Sequence, residues 1–515
     1  MRLLRIPIAL TILWISVAHG AELRIGLAAD VTSMDPHFLN LQPNVNVSWH
    51  VFDALTHVNE DARLIPGLAD SWRAVDPTTW EFRLRRGVKF HDGTDLTADD
   101  VVFSIERTFL VPNGQFRTFT QRIVGKQIVD AHTLRLTTAT PYAMVAYDLN
   151  SVHIVSRKAA TGARPEDFDS GRAMVGSGPF KFVRFARGDR VELARNDGYW
   201  GSRSAWEKVT FRIVPIDPAR LAGLLSGDLD AIEQVPTADL PRVRRDPKLQ
   251  TAQKVSWRTI FFHLDQRSAT PPGLADKSGR PLARNPFSDV RVRQALSKAI
   301  NRQAIAERLM DGAALPASNL VSPPVFGHAA DLKPEAYDPD GARRLLAEAG
   351  YPDGFSIVLA SPNNRYVNDE QIAQAVAQML ARIGVRARVE ALPISAYLTK
   401  GRNLEFGFAM LGWGSFSGDL ALRSLVASVD PDKGFGAFNW SNYSNPRVDE
   451  LLERAFASVD EKKREALAQD AMRLAMRDYA VIPLHHQITT WAMRKPLAYA
   501  PRTDEFTFAH HFRPQ

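Results

Sequence analysis

The stretch WRTIFFHLD, residues 257 to 265, has the pattern that decides the fold of this chain. Ile260 to Leu264 is apolar on nearly every position, as expected for a β-strand that is covered by protein on both faces. A second stretch of similar character, AVIPLHHQITTWAM, occupies residues 480 to 493. We predict two crossing strands, one near Asp265 and one near His485, that join a first lobe to a second lobe inserted between them.

Helix and strand signals alternate around these two segments. Thr97 is placed to cap a helix whose first turn holds Asp99 and Asp100, and Ser288 is expected to open another helix. Asp338, followed by a proline, starts a third helix that closes at a glycine. Such alternation predicts an α/β fold with mixed sheets.

The size and composition of the chain agree with a protein of two or three lobes. Its 515 residues exceed what one hydrophobic core usually serves, and 45% hydrophobic with 23% charged residues is typical of a soluble globular protein. The formal charge is +7, with the basic residues dispersed along the chain. Its densest basic run, RVRRDPK at residues 242 to 248, is interrupted by Asp246, so we expect no nucleic-acid partner.

The first 20 residues form a separate unit. Arg2 and Arg5 precede an apolar segment from Ile6 to Val17, and Ala18-His19-Gly20 follows. This order is typical of a secretory signal peptide, and we expect cleavage after Gly20. The alternative is a membrane anchor, but the apolar segment is short for a bilayer. Because the chain has no cysteine to carry a lipid, we expect an unanchored protein of the Gram-negative periplasm.

Motifs for catalysis or metal binding are weak in this sequence. GSFSG at residues 414 to 418 has Phe416 where a nucleophile elbow needs serine. Neighbouring histidines such as His485 and His486 point to opposite faces of a strand and make a poor pair of metal ligands. We therefore expect no enzyme activity, no cofactor and no metal site. A secreted hydrolase that uses Ser415 or Ser417 is the remote alternative.

Five motifs in order along the chain resemble solute-binding protein family 5, the periplasmic dipeptide- and oligopeptide-binding receptors of ABC importers. The resemblance runs from about Glu22 to the C-terminus and is specific for the family rather than for the ligand. The motifs are VFDALTHVNEDARLIPGLADSW (51–72), WEFRLRRGVKFHDGTDLTADDVVFSIER (80–107), VGSGPFKFVRFARGDRVELARNDGYWG (175–201), DVRVRQALSKAINRQAI (289–305) and YDPDGARRLLAEAGYPDGF (337–355).

The resemblance implies a two-lobed periplasmic binding protein fold whose lobes close on a ligand held between them. Combined with the two crossing strands, it predicts a first lobe over 21–264 with an inserted subdomain, a second lobe over 265–484, and a return to the first lobe over 485–515. It also implies a monomer that delivers its ligand to an inner-membrane ABC permease and its ATPase subunits.

One candidate binding residue is a cation. Arg365, in the stretch SPNNRYVNDEQIA, matches the arginine that pairs with the peptide carboxylate in dipeptide-binding relatives. Its planar guanidinium group suits this task because it makes two charge-assisted hydrogen bonds to one carboxylate. Tyr366 and Val367 would lie beside it, and Asn40 matches a polar contact of the same relatives. The alternative is that Arg365 is an exposed arginine that precedes a helix.

A second candidate is the loop GWGSFSGD, residues 412 to 419. In the dipeptide-binding relatives the loop that starts at Trp413 lines the cleft, so Trp413, Gly414, Ser415 and Phe416 are candidate contacts. A carboxylate at the position of Phe416 pairs with the peptide ammonium in those relatives, and here the position carries no charge. Asp419 is either the replacement for that carboxylate or a helix cap. The alternative is a surface turn whose aromatic side chains pack back into the core.

These residues predict the class of ligand. We expect a small peptide or peptide-like carboxylate as the solute, because Arg365 has no matching carboxylate at Phe416. The alternatives are an opine, a sugar, a metal chelate or haem. The last two are less favoured because the proposed cleft motifs contain no histidine.

Overall fold

The structure is a computed structural model that describes residues 21–515, so the predicted signal peptide lies outside the described residues. The strands are β1 (Glu22–Leu27), β2 (Thr56–Val58), β3 (Leu64–Pro66), β4 (Ala69–Asp76), β5 (Thr79–Leu84), β6 (Ile123–Asp130), β7 (Thr133–Thr138), β8 (Phe180–Ala186), β9 (Arg190–Arg195), β10 (Lys208–Ile213), β11 (Ala231–Ile232), β12 (Leu249–Leu264), β13 (Ala314–Pro316), β14 (Ser356–Pro362), β15 (Arg386–Leu392), β16 (Phe408–Gly414), β17 (Ile482–Arg494), β18 (Leu497–Tyr499) and β19 (Phe512–Pro514).

The helices lie between and on both sides of these strands. They are α1 (Gln42–Val51), α2 (Ala98–Leu110), α3 (Arg117–Thr120), α4 (Val145–Asn150), α5 (Arg157–Ala160), α6 (Pro165–Asp169), α7 (Asp217–Ser226), α8 (Leu240–Arg245), α9 (Val290–Lys298), α10 (Arg302–Ala304), α11 (Pro339–Glu348), α12 (Asp369–Ala381), α13 (Ile394–Arg402), α14 (Gly418–Leu425), α15 (Pro446–Ala457) and α16 (Glu461–Arg477). Within residues 21–515, no helix combines the length and apolar character that a membrane span requires.

One large sheet runs through both lobes, in the strand order β15-β14-β16-β12-β17-β11-β1-β10-β9-β8, and β13 also pairs with β17. Strand β1 is parallel to β10 and β11, and β14 is parallel to β15 and β16, while the remaining neighbours in this sheet are antiparallel. The predicted α/β fold with mixed sheets is therefore confirmed.

Strands β12 and β17 are the crossing strands predicted from the sequence. They pair antiparallel from Leu249 with Arg494 to Phe262 with Ile482, and the register shifts between Val255 and Thr259. Beyond the shift, β12 pairs with β16 of the second lobe, whereas the far end of β17 pairs with β11 of the first lobe. Each strand therefore leaves one lobe and enters the other, while the lobe limits given above stay a prediction.

Local signals located two of the three predicted helix starts. Helix α2 follows Thr97, whose backbone N–H donates to the Asp100 carboxylate at 3.0 Å. Helix α11 follows Asp338, which accepts a hydrogen bond from the N–H of Gly341 at 2.8 Å. Ser288 instead lies in a short 3₁₀ turn, and α9 is capped one residue later by Asp289, because its carboxylate accepts the N–H of Arg291.

A second sheet, β4-β5-β7-β6, forms a subdomain beside the first lobe. Its buried side chains, including Trp80 and Phe82, belong to the same apolar cluster as Leu411, Leu425 and Trp440 of the second lobe. Burial of apolar surface thus holds the subdomain against the second lobe in this structure.

Candidate ligand-binding site

A cavity of about 300 Å³ lies where the two lobes meet at the crossing strands. Its volume is at the lower end of the range for small-molecule pockets. The crossing strands supply Arg258 and residues 487–490, the first lobe supplies residues 234–238 and Glu505, and the second lobe supplies residues 365–368. The cavity therefore has walls from both lobes and a floor from the strands that connect them.

Arg365 reaches this cavity from the loop between β14 and α12. The backbone N–H groups of Arg365 and Tyr366 both donate to the Asp369 carboxylate, at 2.9 and 3.0 Å, and Asp369 is buried in the first turn of α12. This carboxylate fixes the loop through its backbone. In the described part of the chain, the Arg365 guanidinium group has no hydrogen-bonded or ion-paired side chain, and it lies 5.6 Å from the centroid of the Tyr366 ring.

Burial and a neighbouring cation outweigh the nearby carboxylates at Arg365. Arg365 is exposed, as the alternative from the sequence had it, but it still borders the cavity. The nearby protein that partly desolvates the guanidinium group lowers its pKa, and the positive charge of Arg258 lowers this pKa further, against the opposite effect of Glu505 and Asp369. An arginine titrates so far above neutral pH that the group stays protonated. Arg365 is thus a cation held at the cavity with its donors free for an anion.

A buried ion pair lies next to it. Arg258 donates from Nη2 to Glu505 Oε2 at 2.9 Å and from Nε to Oε1 at 3.3 Å, and the Ser256 hydroxyl donates to Oε1 at 2.6 Å. Burial alone would raise the pKa of Glu505, but the charge and hydrogen bonds of Arg258, together with Ser256, hold this pKa below its usual value. Glu505 is therefore a carboxylate, and it orients Arg258 across the point where the lobes join.

The two glycines of the GWG motif, Gly412 and Gly414, leave space beside the cavity for the rings of Tyr366 and Trp257. A Cβ atom on Gly412 would lie 2.6 Å from Cε1 of Tyr366, and one on Gly414 would lie 2.7 Å from the indole nitrogen of Trp257. The Tyr366 hydroxyl also donates to the carbonyl oxygen of Gly412 at 3.1 Å. These two positions must lack a side chain because the rings of Tyr366 and Trp257 occupy the space.

The aromatic residues of the loop pack against other rings. Phe416 meets Trp257 edge to face, with ring centroids 4.9 Å apart, and Trp413 lies 4.9 Å from Phe438. Both loop rings are partly buried against the large apolar cluster, and the Ser415 hydroxyl donates to the Ser417 carbonyl at 2.8 Å. The segment from Trp413 to Phe416 does not line the cavity in this structure, so its contact with a ligand stays a prediction.

The last two candidate residues lie away from the cavity. Asp419 is buried in the first turn of α14, and its carboxylate accepts hydrogen bonds from Arg464 Nε at 2.6 Å and Nη2 at 3.2 Å. The Asp419 carboxylate is therefore paired inside the protein and is not available to a ligand in the cavity. Asn40 is exposed, and its backbone N–H donates to the side chain of Gln115 at 2.9 Å, whereas Gln42 of the same segment lines the cavity.

Sequence reasoning did not select Arg258 and Glu505 as site residues. Arg258 lies within the quoted stretch WRTIFFHLD, and a charge two residues before the apolar run Ile260 to Phe262 was a signal that could have found it. Glu505 has no comparable signal, because it lies in a loop near the C-terminus and meets Arg258 only through the fold. Across residues 21–515, no group of histidine, cysteine, aspartate and glutamate side chains is arranged to hold a metal ion.

The fold and this site define a two-lobed binding protein with its ligand cavity at the crossing strands. Residues 63–423 match the model of the family described as bacterial extracellular solute-binding proteins, family 5 middle. Heme-binding protein A of Haemophilus influenzae is 28% identical over 455 residues, which cover 82% of this chain and 79% of that protein. The dipeptide-binding protein of Escherichia coli K12 is 30% identical over 449 residues, which cover 81% and 79%.

A solved structure has the same architecture. HbpA2 from Haemophilus parasuis superposes with a TM-score of 0.82 at 24% identity, and the match covers 96% of this chain and all of that one. The match to the family model and to the relatives shows that this chain belongs to family 5 of the bacterial extracellular solute-binding proteins. It is a substrate-binding component of an ABC importer.

Proposed function

We propose that this protein is a periplasmic receptor, exported through the signal peptide of residues 1–20, that captures a small peptide-like carboxylate and delivers it to an ABC permease. It acts as a monomer and catalyses no reaction. The observation that carries the proposal is the unpaired guanidinium group of Arg365 at a cavity between the lobes. A planar fork of donors without an internal acceptor is suited to the carboxylate of a bound solute.

Closure of the lobes would be the mechanism of capture. Asn368 Nδ2 of the second lobe donates to Thr237 Oγ1 of the first at 2.9 Å, and Arg63 Nη1 lies 3.1 Å from Glu465 Oε1. We infer that contacts of this kind break when the lobes open about β12 and β17. A ligand that touches both lobes adds contacts available only in the closed state and so shifts the population toward closure.

The names of the relatives bear on the ligand. One relative is a dipeptide-binding protein and another is a haem-binding protein. No histidine occurs among the described residues that line the cavity, and the charged cavity residues include two arginines. We therefore favour a small carboxylate over haem.

The variant Arg365→Ala tests this proposal. Arg365 is exposed without a ligand, and we expect the bound solute to cover its guanidinium group. Removing one partner of the resulting buried charge pair should cost about 2–5 kcal/mol, so binding of the carboxylate solute should weaken by roughly 30-fold or more. The measurement is calorimetric titration with the solute released from the native protein and with a dipeptide panel. The matched control is Arg344→Ala on α11, where the arginine is exposed and does not line the cavity. Parent-like affinity of Arg365→Ala would refute the proposed site.

A further inference from the structure

The cavity contains more positive than negative charge. Arg258 and Arg365 both line it, and the carboxylates among its described lining residues are Glu505 and Asp217. The Asp217 carboxylate accepts a hydrogen bond from the buried Arg220 at 2.6 Å, so this pair adds no net charge. The remaining three groups, two guanidinium groups and one carboxylate, give a net charge of +1 in the space where the ligand would bind.

The unused hydrogen-bond donors belong to the same two arginines. Arg258 uses Nε and Nη2 on Glu505, and within residues 21–515 its Nη1 has no acceptor. Arg365 uses none of its guanidinium donors on another side chain in that part of the chain. The positive charge of Arg258 also lowers the pKa of Arg365, so the two cations are close enough to repel each other, although Glu505 and Asp369 act in the opposite direction. An anion between them would relieve this repulsion and accept hydrogen bonds from both.

We propose that Arg258 is a second anion-binding residue, which holds an anionic group of the ligand together with Arg365, and that the ligand carries a net negative charge. Glu505 is a positioning residue, because it turns the Arg258 guanidinium group toward the cavity and leaves Nη1 free. This inference rests on the proposed function and narrows its solute to one that lacks a free ammonium group at this cavity.

The net charge of Arg258, Arg365 and Glu505 favours an anionic solute over a zwitterionic one. A monoanion brings the total charge of the three groups and the ligand to zero. A zwitterion leaves it at +1 and places its ammonium group close to two guanidinium groups, where like charges are disfavoured. Glu505 offers little compensation for that ammonium group, since Arg258 and Ser256 already occupy both of its oxygens. The side chains of Gln42, Gln234 and Gln487 also line the cavity and suit the amide or hydroxyl groups of an uncharged ligand body.

The test uses three probes of similar size and different charge: N-acetylglycine as the anion, glycylglycine as the zwitterion and glycinamide as the cation. Each is added to the full-length mature protein at constant ionic strength, and the rise in unfolding temperature gives its affinity. We expect N-acetylglycine to bind at least about 10-fold more tightly than glycylglycine, and glycinamide not to bind. Equal or tighter binding of glycylglycine, or no stabilisation of the parent by N-acetylglycine, would overturn the proposal.

A double variant separates the contact of Arg258 from the net charge. Arg258→Gln with Glu505→Gln removes one cation and one anion, so the cavity keeps its net charge of +1 from Arg365 and leaves no buried charge unpaired. We expect this variant to lose about 30-fold in affinity for N-acetylglycine, because the second set of donors is gone. Arg258→Lys, which keeps the charge but not the fork, should lose less. Parent-like affinity in the double variant would overturn the role of Arg258.

Arg365→Gln, measured with the same probes, separates the proposed carboxylate site at Arg365 from the proposed second anion contact at Arg258. If Arg365→Gln loses binding while the double variant binds like the parent, the proposed function stands and the role of Arg258 fails. If Arg365→Gln itself binds like the parent, the proposed function fails. The unfolding temperature of each variant without probe shows whether it is folded.

Discussion

Gly412 is the residue at which one added atom would disturb the wall of the cavity. A methyl group there would lie 2.6 Å from both Tyr366 Cε1 and Ile260 Cδ1, so the ring of Tyr366 must shift. We expect Gly412→Ala to lower the free energy of unfolding by about 1–3 kcal/mol, as overpacking does, and to weaken ligand binding because Tyr366 borders Arg365. Denaturant unfolding and calorimetric titration measure the two effects.

The matched control for this variant is Gly198→Ala. At Gly198 the nearest atom to an added Cβ is the Asn196 side-chain oxygen at 3.5 Å, an ordinary contact distance. This exchange should change neither stability nor affinity by a measurable amount. If Gly412→Ala behaves like Gly198→Ala, the close fit of Tyr366 on the glycine does not exist in solution.

The sequence allows only part of this residue-scale picture to be predicted. Arg365 could be selected because it lies in a stretch that resembles a known family. The ion pair of Arg258 with Glu505 could not be predicted from the sequence, because it joins a strand to a loop 247 positions later. Nothing local in either segment specifies such a contact, since side-chain pairs of this kind follow from the packing of whole lobes.

Helices α14 and α16 are joined by one buried ion pair. Arg464 and Asp419 contact at 2.6 Å, and both side chains are almost fully buried. Because the truncation of one partner leaves the other charge buried, Asp419→Ala should lower the free energy of unfolding by about 3–5 kcal/mol. We expect no change in the preference for anionic over zwitterionic probes, since Asp419 lies outside the cavity. Urea unfolding at pH 7 measures the loss.

An exposed ion pair on α16 provides the comparison. Arg473 pairs with Asp331 at 2.9 Å, and both side chains are accessible to solvent. Arg473→Ala should cost about 0–1 kcal/mol, as exposed pairs usually do. Equal losses in Asp419→Ala and Arg473→Ala would contradict the structural role given to the buried pair.

Elements were predictable where their signals are local. Thr97 and Asp338 precede helices because acidic side chains and prolines near these positions satisfy or remove the free N–H groups of a first turn. Ser288 failed as a helix start because the neighbouring Asp289 provides the capping carboxylate. The choice between adjacent capping residues depends on how the preceding turn packs, and the sequence pattern does not contain that information.

At the scale of the whole molecule, buried neutral histidines make stability depend on pH. For each of them, burial is the main cause that lowers the pKa from its ordinary value of 6.5. The structure places His50, His263, His485 and His486 at a pKa of about 3, and His37 and His511 at about 4. The unfolded chain therefore binds more protons than the folded one at acidic pH, and stability falls as the pH drops below 6.5.

This shift predicts acid unfolding. Each histidine that stays neutral should lower the free energy of unfolding by about 2 kcal/mol between pH 7 and pH 5. Asp148 acts in the opposite direction, because burial raises its pKa to about 7, and it offsets roughly one histidine. The urea midpoint should fall steeply between pH 6.5 and pH 5. A constant midpoint over this range would contradict the burial of these side chains.

The architecture of the whole molecule was predictable from two segments, because strands covered on both faces lose the alternation of apolar and polar residues. The packing of the β4-β5-β7-β6 subdomain against the second lobe could not be predicted, since its apolar residues pack against residues hundreds of positions away. The periodicity of Trp80 to Leu84 identifies a buried face but not the surface that covers it.

In the proposed function, the two lobes enclose a small carboxylate solute that Arg365 holds. Mass spectrometry of the small molecules released from the protein purified out of its native periplasm tests it most directly, with Arg365→Ala purified in parallel. The parent protein should release a stoichiometric compound with a carboxylate group and a net negative charge, and the variant should lack it. A compound without a carboxylate, or equal occupancy in both proteins, would show that Arg365 does not hold a carboxylate solute.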